Sequence, residues 1–185
     1  QPVPPLWAVV VALIGIGWML LPRGFPSRWL GLVMLLPALL VAPARPLPGQ
    51  ASVTVLDVGQ GLAVLVQTAS RTLLYDAGPL YSAESDAGQR VVLPYLRALG
   101  INQLDAMIIT HRDSDHSGGA ASVLSAMPVR QVFSSMPEIP GSPCEAGQAW
   151  AWDGVNFLML HPAAEPSPGK RRIKTNNLSC VLRIE

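Results

Sequence analysis

The stretch THRDSDHSGG, residues 110–119, concentrates side chains that could do chemistry. Two histidines and two aspartates fall within six consecutive positions, as His111, Asp113, Asp115 and His116. Imidazole nitrogens and carboxylate oxygens are ligands that borderline and hard divalent metals accept, and four so close together can converge without closing a long loop. The spacing therefore predicts a divalent metal site, and the glycine pair that follows would let the backbone turn closely behind the ligands.

Two other interpretations of this stretch compete with a metal site. Residues 113–118 match the start of a calcium-binding loop, D-x-D-x-S-G, but the twelfth position is Leu124, where a bidentate Glu is required. A helix N-cap would explain Asp115 or Ser117 and leave the remaining polar residues unexplained. The metal site is the interpretation that accounts for the whole stretch.

Hydrophobic patterning places this stretch between a buried strand and a helix. LDAMIIT predicts a strand that ends at His111, and GGAASVLSAM predicts the helix that follows. Upstream, SVTVL, LAVLVQT and TLLYDAG predict three strands, and RVVLPYLRALG predicts a helix that begins near Pro94 and stops at Gly100. Downstream, VRQVF and SCVLRIE predict strands, and AWAW with VNFLML predicts a hairpin that turns at Asp153 and Gly154. The alternation predicts an α/β domain, in which strand ends that feed loops carry the site.

The first fifty residues differ in composition from the rest of the chain. Charged residues make up 14% of the whole sequence, against about 25% in an ordinary soluble domain. The first fifty contain three arginines, Arg23, Arg28 and Arg45, no acid, and two apolar runs, Leu6–Leu21 and Trp29–Ala42. We interpret the runs as a transmembrane helical hairpin, although both are shorter than the roughly 20 residues that cross a bilayer. A buried core hairpin is the alternative.

The charges around the apolar runs predict a topology and a domain boundary. Arg23 and Arg28 flank the turn between the runs, which the positive-inside rule places in the cytoplasm, so that the rest of the chain lies outside. PARPLPGQ has the proline spacing of a stiff linker. We therefore assign residues 1–47 to a membrane hairpin with its linker and residues 48–185 to a soluble domain. That domain has a slight excess of acid, which indicates no general attraction to polyanions.

Several motifs together resemble a known family. THRDSDHSGG is similar to the metal motif of the metallo-β-lactamase fold, T-H-x-H-x-D-H, with Asp113 in place of the second histidine. With LDVGQG and LLYDAG it resembles the C-terminal hydrolase-like domain of ComEC-type DNA-internalisation competence proteins. The apolar hairpin also matches, because in that family a many-helix membrane channel leads into this domain. The resemblance covers essentially the whole chain. It implies a metallo-β-lactamase-like αββα domain, truncated here, in a multi-pass protein of the bacterial inner membrane.

The resemblance also implies roles for the ligand residues. His111 and Asp113 would bind one metal, while Asp115 and His116 would bind or flank a second. Asp115 would in addition be catalytic, by orienting the attacking water. A later aspartate and a final histidine of the fold are expected beyond the end of the chain, so we expect the chain to be an inactive fragment of a longer protein.

Other residues are implied more loosely. Asp76 would brace the ligand loops by hydrogen bonds, and Asp57 and Gln60 would line the rim, with a turn-forming or loop-bracing role as the alternative for all three. Asn177 stands where the third histidine motif of the fold is expected. His161 is a lone histidine at a strand end, which is more often structural than a ligand.

The implied chemistry depends on Asp113. A carboxylate is a harder ligand than imidazole, which favours Mn²⁺ or Mg²⁺ over Zn²⁺, and a two-metal site suits phosphodiester hydrolysis. GKRRIK, residues 169–174, is the local cationic strip that could contact a phosphate backbone, although a solvated loop also explains it. Cys144 and Cys180 lack zinc-knuckle spacing. They are either two buried thiols or, in an external domain, a disulfide, and we predict the disulfide.

The function implied is DNA uptake. The external domain would be a metal-dependent phosphodiesterase that degrades the non-imported strand, with DNA, the lipid bilayer and other competence proteins as partners. One alternative is a non-catalytic module that guides DNA at the channel mouth and has a degenerate metal site. Another is a membrane-tethered metallohydrolase of a small substrate.

Overall fold

The computed structural model describes residues 4–22, 24–41, 44–163 and 175–185. The chain divides into two compact units, Gln1–Ala44 with Leu96–Ile101, and Arg45–Tyr95 with Asn102–Glu185. A functional division after residue 47 stays a prediction.

The first unit contains two helices, α1 (Leu6–Met19) and α2 (Leu30–Leu40). They approach each other closely where each has a glycine: a Cβ added to Gly15 would lie 2.7 Å from the carbonyl oxygen of Gly31. Both sequences are apolar nearly throughout, so large side chains such as Leu40 are exposed. The close approach of the two helices at these glycines shows that the predicted helical hairpin forms.

The transmembrane character of this hairpin is not confirmed. No helix in the described residues is long and apolar enough to cross a membrane. Helix α1 has 14 residues and α2 has 11, with Pro37 inside it, which correspond to about 21 Å and about 16 Å of helix against a hydrocarbon core of about 30 Å. Of the two arginines interpreted as cytoplasmic anchors, Arg28 donates from Nε to the carbonyl of Met19 at 3.0 Å, and Arg23 lies outside the described residues.

The second unit is built mainly from short strands with a few helical segments. Its strands are β1 (Ser52–Val55), β2 (Val64–Gln67), β3 (Thr72–Tyr75), β4 (Leu80–Ser82), β5 (Ser85–Asp86), β6 (Leu104–Ile109), β7 (Val129–Ser134), β8 (Ser142–Pro143), β9 (Ala149–Trp152), β10 (Val155–His161) and β11 (Val181–Ile184). Its helical segments are a π-helical stretch (Gly88–Val92), the start of α3 (Leu93–Ala98), α4 (Ser114–Ser117), α5 (Ala120–Ala126) and a 3₁₀ turn (Thr175–Leu178).

A six-stranded sheet in the order β1-β2-β3-β6-β7-β8 forms the centre of this unit. Strands β1 to β3 pair antiparallel, and β3, β6, β7 and β8 pair parallel. Every residue of β6 is buried, which is typical of a central parallel strand covered on both faces and explains its run of apolar residues. The predicted α/β fold is confirmed.

A second sheet, β11-β10-β9, contributes to the same core. Phe157 of β10 is buried with Leu73 and Ile108 of the large sheet. The ring of Trp150 stacks on Phe133 at 5.4 Å and on Phe157 at 5.3 Å between centroids. These aromatic and aliphatic contacts join the two sheets in one core.

The structure departs from the predicted elements in several places. The ligand stretch, predicted as a loop, contains the one-turn helix α4, because the N–H of Ser117 donates to the carbonyl of Asp113 at 3.0 Å. The helix predicted from Pro94 is preceded by the π-helical stretch, whose start is fixed where Gln89 donates its N–H to the Asp86 carboxylate at 2.9 Å. The β4–β5 hairpin was not predicted, since strands of two and three residues carry no usable alternation.

The predicted disulfide is confirmed. Cys144 and Cys180 are bonded, with their Cα atoms 5.7 Å apart, and both are buried in the core. The turn at Asp153 and Gly154 is also as predicted, because both residues have positive φ, 51° and 84°, as a two-residue hairpin turn of this kind needs.

Candidate functional site

Parallel pairing of β3 and β6 brings two polar strand ends together. The N–H of Asp76 donates to the carbonyl of Ile108, and the N–H of Thr110 donates to Asp76 Oδ1, both at 2.8 Å. Asp76 is fully buried and has a φ of 58°, which is uncommon for a residue other than glycine. Backbone strain of this kind persists only where the surrounding contacts hold it, and here they orient a carboxylate toward the ligand loop.

The Asp76 carboxylate braces that loop. Its Oδ2 accepts hydrogen bonds from the hydroxyl of Thr110 at 2.8 Å and from Nδ1 of His116 at 2.7 Å. Burial raises the pKa of Asp76, and the hydrogen bonds from Thr110 and His116 oppose that shift. The acid that the sequence suggested as a supporting residue thus touches one predicted ligand directly and a second through Thr110.

The two histidines of the motif lie side by side, with their ring centroids 4.2 Å apart. Nδ1 of His111 is 2.8 Å from the Thr110 hydroxyl. On the other side of each ring, Nε2 of His111 is 3.5 Å from Asp113 Oδ2, and Nε2 of His116 is 3.7 Å from Asp115 Oδ2. The carboxylates of Asp113 and Asp115 are 45% and 44% exposed, so a ligand from solution can reach them.

The spacing of these pairs fits a shared ion in part. Two ligand atoms at about 2.1 Å from a tetrahedral ion lie about 3.4 Å from each other, close to the separations of 3.5 and 3.7 Å seen here. However, the described residues contain no group of three or more His, Cys, Asp or Glu side chains that could hold one ion. The four predicted ligands therefore form two pairs, and a complete coordination shell stays a prediction.

Two glycine loops fix the backbone of the ligand stretch. A Cβ on Gly61, in LDVGQG, would overlap the carbonyl oxygen of Asp115, and one on Gly119 would overlap the carbonyl oxygen of Ala77, in LLYDAG. The N–H of Ala77 in turn donates to the carbonyl of His116 at 2.9 Å. The three motifs of the family resemblance are thus in mutual contact, and only glycine permits their close approach.

The remaining predicted residues lie at different distances from this centre. Gln60 shares an open groove of about 540 Å³ with Asp115, and the groove is lined by Gln60, Pro79, Leu80, Tyr81, Ser114 and Asp115. Asp57 is exposed, and its Oδ1 accepts the N–H of Gly59 at 3.3 Å, as in a turn. Asn177 is exposed in the 3₁₀ turn.

His161 and the cationic strip do not join the described site. Nδ1 of His161 donates to the carbonyl of Ser179 at 2.9 Å, which is a structural contact. The strip at residues 169–174 lies outside the described residues. Sequence reasoning missed Thr110, although it directly precedes His111, and missed Tyr81, for which the short β4 gave no signal.

Comparisons with known proteins agree with this arrangement. Residues 56–171 match the family described as the metallo-beta-lactamase superfamily, whose members in general bind divalent metals. Competence protein ComA of Neisseria gonorrhoeae is 37% identical over 181 residues, which cover 97% of this chain and 25% of ComA.

Two further relatives support the same assignment. ComE operon protein 3 of Bacillus subtilis is 36% identical over 168 residues, covering 75% of this chain and 21% of that protein. Recombination protein 2 of Haemophilus influenzae is 35% identical over 137 residues, covering 72% and 16%. This chain spans a quarter or less of the length of these relatives. The chain belongs to the metallo-beta-lactamase superfamily, and its resemblance to ComEC-type competence proteins is confirmed.

Proposed function

We propose that this domain is a metal-dependent phosphodiesterase that acts during DNA uptake on the strand that does not enter the cell. The proposal rests on one observation. The largely buried imidazoles of His111 and His116 are each paired with an exposed carboxylate, on one loop that Asp76 braces. The names of the relatives ComA and ComE operon protein 3 support a role in competence. Membership of the superfamily supports a divalent metal.

The residues of the chain would divide the chemistry between them. His111 with Asp113 would hold one metal ion, and His116 with Asp115 would hold or flank a second; when bound, these ions would neutralise charge on the phosphate. Asp115 also borders the open groove, where its carboxylate can accept a proton from the attacking water. Asp113 makes the donor set harder than a histidine would, so Mn²⁺ or Mg²⁺ is favoured over Zn²⁺.

We place the domain on the external side of the bacterial inner membrane, with the helical hairpin as its anchor. The disulfide supports an oxidising compartment, and the exposed apolar side chains of α1 and α2 support contact with lipid. A reporter that is active only outside the cytoplasm, fused after Pro48, should be active. A cytoplasmic reporter that is active at the same position would contradict this topology.

A second candidate is a non-catalytic module that grips or guides DNA. It is favoured by the lack, within the described ranges, of a group of three ligands for one ion. Such a module would bind DNA without cutting it in any metal.

A cleavage and binding assay on the full-length protein distinguishes the two candidates. We expect end-labelled DNA to be cut with Mn²⁺, less efficiently with Zn²⁺, and not in excess chelator. Asp115→Asn should lower the rate by about 100-fold or more, as for loss of a general base, whereas Glu145→Gln, an exposed carboxylate away from the pairs, should be neutral. Equal cutting in chelator would exclude the metal, and binding without cutting would favour the guiding module.

A further inference from the structure

The hydroxyl of Thr110 lies between a buried acid and a histidine ring. Its Oγ1 is 2.8 Å from Asp76 Oδ2 and 2.8 Å from Nδ1 of His111, and 3.5 Å from Nδ1 of His116. Thr110 is 3% exposed, so these partners, rather than bulk water, decide where its single proton points.

The proton count at this hydroxyl has one favourable solution. A hydroxyl carries one proton, and a hydrogen bond to an ionised carboxylate is about twice as strong as one to a neutral acceptor, so the proton of Thr110 points to Asp76. The Thr110 oxygen can then only accept from His111, and Nδ1 of His111 must carry a hydrogen. Nδ1 of His116, at 2.7 Å from Asp76 Oδ2, must carry one as well, because two bare acceptors at that distance would repel each other.

We infer that Thr110 is a positioning residue that relays the orientation of Asp76 to His111. Asp76 orients His116 directly. Both motif histidines are thereby held in the tautomer whose Nε2 carries no hydrogen. Each Nε2 then presents a lone pair toward a carboxylate, His111 toward Asp113 and His116 toward Asp115. An acceptor facing an acceptor in both pairs is unfavourable unless a proton or a metal ion lies between them. The inference that a metal ion lies between each Nε2 and its carboxylate rests on the proposed function, whereas the predicted tautomers do not depend on it.

The tautomers can be measured directly without metal. The chain has three histidines, so long-range ¹⁵N–¹H correlation spectra of the ¹⁵N-labelled protein in chelator resolve each ring. The spectra are recorded about two pH units above the ordinary histidine pKa of about 6.5. We expect Nδ1–H signals for His111 and His116. His161, whose Nδ1 donates to a backbone carbonyl, serves as the internal reference.

Three variants distinguish the relay from a general structural role. Thr110→Val keeps the shape and removes the hydroxyl, and should shift His111 toward the Nε2–H form that free histidine prefers. Thr110→Ser restores the hydroxyl and should restore the Nδ1–H form. Ser135→Ala removes a hydroxyl that donates to the carbonyl of Thr110 at 2.7 Å without touching a ring, and should leave both motif histidines unchanged.

A metal titration gives a second readout. By calorimetry with Mn²⁺ alone, Thr110→Val should bind about 10- to 100-fold more weakly than the unsubstituted protein, as for loss of other groups that orient metal-ligating histidines. Thr110→Ser should bind nearly as tightly as the unsubstituted protein.

The outcomes are separable. An Nε2–H form of His111 in the unsubstituted protein refutes the relay even if the valine variant does not fold, and so does a valine variant with unchanged His111 signals. If the tautomers behave as expected and Mn²⁺ does not bind, the relay stands and the proposed metal-dependent function fails.

Discussion

Breaking the disulfide between Cys144 and Cys180 should have a large effect on the stability of the domain. The bond joins residues separated by 36 positions, and in the chain-entropy relation closing a loop of that length stabilises the folded state by roughly 4 kcal/mol. Both cysteines are buried in the core, 3% and 1% exposed. Since typical domains unfold at a cost of about 5–15 kcal/mol, the loss is a large fraction of the total.

The measurement is urea unfolding of the chain, followed by tryptophan fluorescence, with and without a reductant. Trp150 lies in the aromatic core between Phe133 and Phe157, so its emission reports on that core. We expect the free energy of unfolding to fall by about 3–4 kcal/mol on reduction. Replacing both cysteines with alanine should lower stability at least as much, and reductant should then have no further effect. A loss below about 1 kcal/mol would refute the loop-closure reasoning.

Two further predictions concern the loops around the sheets. Gly119→Ala should cost about 1–3 kcal/mol of stability, because the new Cβ would overlap the backbone of Ala77, which cannot move aside as a flexible side chain could. Gly17→Ala is the matched control, since a Cβ there would meet no atom within 4 Å. Equal shifts of the melting temperature in the two variants would contradict the packing argument. The hydrogen bond from Thr68 is the largest cause that lowers the pKa of Asp153, followed by those from Ser70. The contribution of ionised Asp153 to folding stability is therefore fully present above the ordinary aspartate pKa of about 3.9, and it is lost as the pH falls through the lowered pKa. The difference in unfolding midpoint between the unsubstituted protein and Asp153→Asn should accordingly shrink below about pH 3.9, and a difference that is constant from pH 6 to pH 3 would be inconsistent with this linkage.

Much of the fold could be predicted because its elements have strong local signals. The apolar run of β6 and the positive-φ turn at Asp153 and Gly154 are visible in residue type alone. The candidate ligands could be named for the same reason, since their chemistry is concentrated in one stretch. The disulfide could be predicted as well, because the chain has only two cysteines.

The rest depends on contacts between distant segments. Helix α4 forms where two hydrogen bonds, donated by the N–H groups of Ser117 and Gly118, close one turn, and no periodicity marks so short an element. The division of the ligands into two pairs follows from the directions of the rings, which are set by Asp76, 40 residues from His116. The sequence shows which ligand residues are present, but it does not show which of them lie opposite each other in the folded chain.

The disulfide and the candidate site meet at the backbone of Thr110. The N–H of Cys180 donates to the Thr110 carbonyl at 3.1 Å, and the carbonyl of Cys180 accepts from the hydroxyl of Tyr75 at 2.6 Å. Burial, with the charge of Asp76 as the second cause, raises the pKa of Tyr75 to about 12, so that this hydroxyl is a donor throughout the neutral range. Both hydrogen bonds hold Cys180 independently of its sulfur, and loop closure acts chiefly on the unfolded chain. Reduction should therefore lower the stability of the domain while leaving His111 and its neighbours in place for as long as the chain stays folded.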